Sequence, residues 1–149
     1  MERSLSGEKE AFTMLETIIV LILSVVIITF SFPNLMRSRQ VVAEHEFWND
    51  FRQSWQAAQV RSKTKHIETM VTFDPVSYQI EFDWRDQQKL VKGKLDIPET
   101  ILVRKFDDFK MHENGYTKPR TQEFQSSING RRYLMRIQLA WGGYRIEEK

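Results

Sequence analysis

Glu16 is the residue whose type and position most invite chemistry. It is the sole charge between Phe12 and Phe32, a stretch that as a helix spans roughly 30 Å, about one hydrocarbon core. An ionisable group inside such a stretch costs about 2.5 to 3.5 kcal/mol on insertion scales, so it is expected to serve a function and to meet a cationic partner. Nothing close by in sequence supplies that partner. The other chemistry-bearing residues are scattered. His45, His66 and His112 form no H-x-x-x-H pair, and the absence of Cys removes thiol nucleophiles, disulfides and thiolate metal sites together. Asp107-Asp108 and Glu147-Glu148 are paired carboxylates, but adjacent acids near strand ends ordinarily face water. There is no G-x-S-x-G, P-loop or dinucleotide fingerprint, and Gly142-Gly143 lacks both a third glycine and a following helix. No catalytic constellation, cofactor or metal site is therefore expected.

Basic residues collect in the last third of the chain. Lys118, Arg120, Arg131, Arg132 and Arg136 are candidate phosphate contacts, with Tyr116 and Tyr133 available for stacking on bases. A competing role for such residues is to discourage pairing at a sheet edge. The whole chain carries a net charge of only +2, short of the clearly basic face of a general nucleic-acid binder.

The elements that position these residues follow from periodicity. The 149 residues leave room for one anchor and one modest soluble domain. The apolar segment is longer than the 7 to 15 residue core of a secretory signal, and no A-x-A pattern follows it. Arg37 and Arg39 on one side are matched by Arg3 and Lys9 on the other, so flanking charge does not set orientation. Pro33 predicts a kink or local loosening near Thr29, four residues back. Beyond it Phe47, Trp48, Phe51, Trp55 and Ala58 recur at helical spacing, while Glu44, Asn49, Asp50, Arg52 and Gln56 are expected largely on other faces. One helix is expected from about Thr13 to Lys63, with its aromatic stripe serving as core.

The period changes to two near His66. A hairpin is expected from His66–Phe73 and Ser77–Trp84 around Asp74-Pro75, then a turn over 85–88. Further strands are expected at Leu90–Leu95, interrupted by Gly93, and at Thr100–Phe106 and Phe109–Met111. Asn114-Gly115 and Asn129-Gly130 read as tight turns with positive φ, 116–120 as loop and Glu123–Ile128 as strand. Alternation then runs from Tyr133 to Trp141, and a last strand from Tyr144 to Glu148. The expected fold is α+β, a long helix packed on one antiparallel sheet.

Those residues carry a resemblance. A short polar leader, a small residue, Phe12-Thr13-Met14-Leu15-Glu16 and an unbroken apolar helix resemble the processing site of type IV pilins and pseudopilins. The resemblance implies cleavage by a prepilin peptidase between Ala11 and Phe12, with Ala11 where the family usually has Gly, and methylation of the new Phe12 amine. It implies that Glu16 pairs with the N-terminal amine of a neighbouring subunit during assembly, and that Pro33 is the helix-bending proline at the end of the membrane stretch. The order of hairpin, Asn-Gly turns and C-terminal strands is similar to minor pilins of Gram-positive competence systems, of the ComGD type.

A type IV pilin-like layout follows from that resemblance: leader 1–11, transmembrane and assembly helix 12–33, amphipathic continuation 34–65 and antiparallel sheet domain 66–149. The implied function is non-enzymatic, as a minor subunit of a competence pilus used in DNA uptake. Its implied partners are other major and minor pilins, the prepilin peptidase and the membrane, with direct contact to DNA not expected. The implied location is the cell membrane, single-pass with the C-terminal domain outside, and the pilus after assembly. Two alternatives stay open: a minor pseudopilin of type II secretion, and a membrane-anchored protein with a hidden site.

Overall fold

The structure, a computed structural model, describes residues 14–138 and 143–149, with the backbone alone at 31–34. Ala11 and Phe12 therefore lie outside the described residues, as do Thr13, Leu139 and Trp141. A single helix, α1 (Met14–Lys65), takes up more than a third of the chain. It runs through Pro33 without interruption. Thr29, where loosening was expected, is helical and its hydroxyl donates to the Val25 carbonyl at 2.7 Å. The chain falls into two compact units divided between Ser38 and Arg39.

In the second unit the strands form two four-stranded antiparallel sheets rather than one. The first contains β1 (Thr69–Asp74), β2 (Gln79–Asp86), β3 (Lys89–Asp96) and β5 (Phe109–Met111) in the order β3-β2-β1-β5. The second contains β4 (Ile101–Lys105), β6 (Arg120–Ser126), β7 (Arg132–Ile137) and β8 (Tyr144–Glu148) in the order β4-β6-β7-β8. Helix aromatics explain why two sheets share one core. Phe51 lies 5.8 Å from Phe82 of the first sheet and 5.4 Å from Tyr144 of the second, between ring centroids. Trp55 likewise reaches Phe109 at 5.6 Å and Tyr144 at 5.1 Å. Phe47, Phe51, Trp55 and Ala58 are all buried, the stripe that the spacing predicts.

Glu44 corrects the predicted face. It lies three residues before Phe47 on the same side of the helix, is 7% exposed, and accepts a hydrogen bond from Ser126 Oγ at 2.8 Å. A buried carboxylate needs such a donor.

Turn chemistry sets the strand boundaries. Asp74 accepts bonds from Val76 N at 2.9 Å and Ser77 Oγ at 2.7 Å, closing the β1–β2 turn. The β2–β3 turn is tighter than the expected 85–88. Its two central residues, Gln87 and Gln88, both have positive φ, 46° and 69°, the conformation of a two-residue hairpin turn whose twist suits the flanking strands. Gly93 does not interrupt β3. A Cβ there would come within 3.2 Å of the Trp84 ring, so glycine makes room for the indole. Gly115 and Gly130 take positive φ as the Asn-Gly signals predict, 78° and 72°. The stretch expected as loop at 116–120 ends in strand: β6 starts at Arg120 and stops at Ser126. Its early start follows from Gln122, fully buried, whose amide donates to the Asp107 carbonyl and accepts from the Asp107 N–H, both at 2.7 Å.

Candidate functional site

The first unit carries the first candidate site. From Met14 to Phe30 the apolar side chains of α1 are exposed, and the helix is long and apolar enough to cross a membrane, with none of its apolar window buried. Polar groups in this stretch are satisfied locally. Thr17 Oγ1 donates to Met14 O at 2.8 Å and Ser24 Oγ to Val20 O at 2.7 Å, as Thr29 does to Val25. Each hydroxyl thus brings no unpaired donor into an apolar surrounding, the requirement that hydrocarbon imposes. Glu16 sits in the first described turn of α1. Pro33 lies within the helix, and its side chain is outside the description.

The predicted basic residues are not brought together as a free patch. The Arg120 guanidinium reaches back to the carbonyls of Asp107 and Asp108 and lies 5.8 Å from the Phe109 ring centre, which makes it a clamp on the β4–β5 connection. Arg131 is bound to Glu148 at 3.0 Å. Arg132 and Lys118 are exposed, and the Arg132 backbone exchanges two hydrogen bonds with Lys149 at 3.0 and 2.9 Å. Arg136 faces the same side of β7 as Arg132 and is paired with Glu147 at 3.2 Å.

The histidines also remain apart. His45 is exposed on α1, while His66 follows the helix end with φ 52°. His112 stacks on Tyr116 and lies 3.4 Å from Glu68, which Lys110 also holds. The Lys110 hydrogen bond keeps the Glu68 carboxyl below its ordinary range. Among the described residues no group of three or more His, Asp or Glu could hold a metal ion.

An open cleft of about 540 Å³ lies beside this cluster, lined by His66, Glu68, Met70, Trp84, Leu90 and Lys110 among others. Trp84, which lines the cleft, has the Arg61 guanidinium 3.6 Å from its ring centre. Burial pulls Arg61 below its ordinary value and Asp86 opposes that. The cleft mixes both charge signs and brings no nucleophile and base together, so it offers no catalytic geometry.

Two residues that shape the surface were not singled out by sequence reasoning: Arg104 and Arg145. Arg145 stands directly opposite Arg136 across β7 and β8, a like-charge pair that weakens a ladder. Only strand register, invisible before pairing is known, could have found it. No known protein family, curated protein or solved structure matches this chain.

Proposed function

We propose that this chain is a non-enzymatic, membrane-anchored subunit of a helical assembly of the type IV pilin kind. Within that kind it most resembles a minor pilin of a competence pilus, serving pilus assembly for DNA uptake in transformation. One observation carries the reading: a single unbroken helix begins as a fully exposed apolar stretch with one carboxylate and continues as the core helix of an α+β domain. A helix that packs among other subunits' helices uses Glu16 to set register on a neighbour's amine. In the membrane the precursor waits as a single-pass protein with its C-terminal domain outside. After the leader is cut between Ala11 and Phe12, apolar side chains exchange lipid for neighbouring helices. Prepilin peptidase and the other pilins are its partners on this reading.

Replacing Glu16 with Ala tests it. The variant is expected to insert in the membrane and to be processed like the wild type, yet to fall at least about tenfold in the sheared pilus fraction, as loss of a buried charge pair implies. Normal incorporation of Glu16→Ala would refute the register role.

A further inference from the structure

Each sheet has two outer strands, and three of the four are guarded against pairing with another chain. β3 carries Lys89, Lys92 and Lys94, β4 has a register shift between Val103 and Lys105, and β5 is three residues long with Met111 bridged to Thr117. Lysines, bulges and shortness are the usual protections of sheet edges. β8 has no lysine, proline or bulge, although three of its five residues are charged. It is Tyr-Arg-Ile-Glu-Glu, in unbroken register with β7.

Its hydrogen-bonding groups can be assigned. Arg132 and Lys149 exchange backbone bonds, and Gln138 N donates to Gly143 O. Antiparallel alternation then turns Arg145 and Glu147 toward β7, and the N–H and C=O groups of Tyr144, Ile146 and Glu148 toward the open side. Among the described residues nothing bonds to those groups.

A groove of about 400 Å³ runs beside this edge, lined by Arg52, Trp55, Gln56, Gln59, Tyr144 and Ile146. The Tyr144 hydroxyl is buried there beside Arg52, whose charge acts on it. Two cations flank the edge, one on each face. Arg52 lies on the groove side and Arg145 on the opposite face, next to Arg136. The nearby carboxylates are already engaged, Glu147 by Arg136 and Glu148 by Arg131. No ion pair forms at Arg52 or Arg145 among the described residues.

We propose that the β8 edge binds an extended segment of another protein by strand addition, and that this segment carries acidic side chains on both of its faces. The added strand bonds to the backbone of Tyr144, Ile146 and Glu148, places one carboxylate against Arg145 and sends another into the groove toward Arg52. Because side chains alternate along a strand, its two acids lie an odd number of positions apart. A second copy of this chain is a poorer occupant, since the acids of its β8 are held by its own arginines. The proposal rests on β8 and the helix beside it, and stands whether or not the chain belongs to a pilus.

The test uses the full chain in detergent micelles and a fluorescent peptide, Thr-Glu-Val-Thr-Glu-Val, whose glutamates are three positions apart. Saturable binding is expected, weakened about tenfold or more by Arg145→Glu and by Arg52→Glu. N-methylating alternate peptide nitrogens separates strand addition from simple charge attraction. One alternating pattern should abolish binding to the wild-type chain and the other should leave it, because only one set of N–H groups faces β8. The proposal is overturned by absence of binding, by equal effects of the two methylation patterns, by unchanged affinity in both arginine variants, or by β8 pairing with a second copy that excludes the peptide. The methylation comparison needs no protein variant, so it decides the matter even where a substitution disturbs the fold.

Discussion

At the residue scale, Glu44 ties the helix to the second sheet through a single buried hydrogen bond to Ser126. Glu44→Ala strands the Ser126 hydroxyl and should cost about 1 to 3 kcal/mol in denaturant unfolding followed by tryptophan fluorescence. Glu44→Gln keeps the acceptor oxygen and should cost clearly less. Sequence reasoning placed Glu44 on the polar side because a carboxylate argues for solvent. The spacing 44, 47, 51, 55, 58 argued the opposite, and spacing won because Ser126 satisfies the charge. Two phenols give a second prediction. Burial holds Tyr133 and Tyr144 above the ordinary tyrosine value, with Arg52 pulling Tyr144 partly back. Folding thus favours their neutral forms. Stability is unaffected below the ordinary value of about 10 and falls as pH rises beyond it, because the unfolded chain ionises first. Tyr144→Phe should flatten that alkaline loss in unfolding curves measured between about pH 9 and 12.

At the scale of elements, most of the fold could be read from period and turn signals. The single helix, the β1–β2 hairpin, β5 and β8 follow from alternation and from Asp74-Pro75. What the pattern lacked was the partition into two sheets, since alternation names a strand's buried face but not its neighbour. It also set the β2–β3 turn too wide, at 85–88 rather than the two residues Gln87 and Gln88, because neither glutamine is a turn former. That turn predicts its own improvement. Two glutamines at positive φ carry strain of roughly 1 to 2 kcal/mol each, and Asn-Gly is the pair this turn favours. Replacing Gln87 by Asn and Gln88 by Gly should therefore raise stability by about 1 kcal/mol or more, read as a higher denaturant midpoint with unchanged slope. An unchanged or lower midpoint would mean that the side chains of Gln87 and Gln88 contribute contacts of their own.

At the scale of the whole molecule, two kinds of surface sit on one chain. The apolar surface of α1 before the Ser38–Arg39 division is suited to lipid or to other helices, and the open β8 edge is suited to a strand. The long apolar stretch of α1 was legible in sequence because hydropathy over a long window needs no tertiary information. The basic residues were legible only as composition. Whether an arginine clamps a carbonyl, as Arg120 does, or faces another arginine across a ladder, as Arg145 does, depends on register.

Mass spectrometry of the mature N-terminus, on protein isolated from cells that contain a prepilin peptidase, tests the central claim most directly. The account predicts a chain beginning at Phe12 with a methylated amine and no leader. A chain that keeps residues 1–11 in those cells would contradict it and leave α1 as a plain membrane anchor.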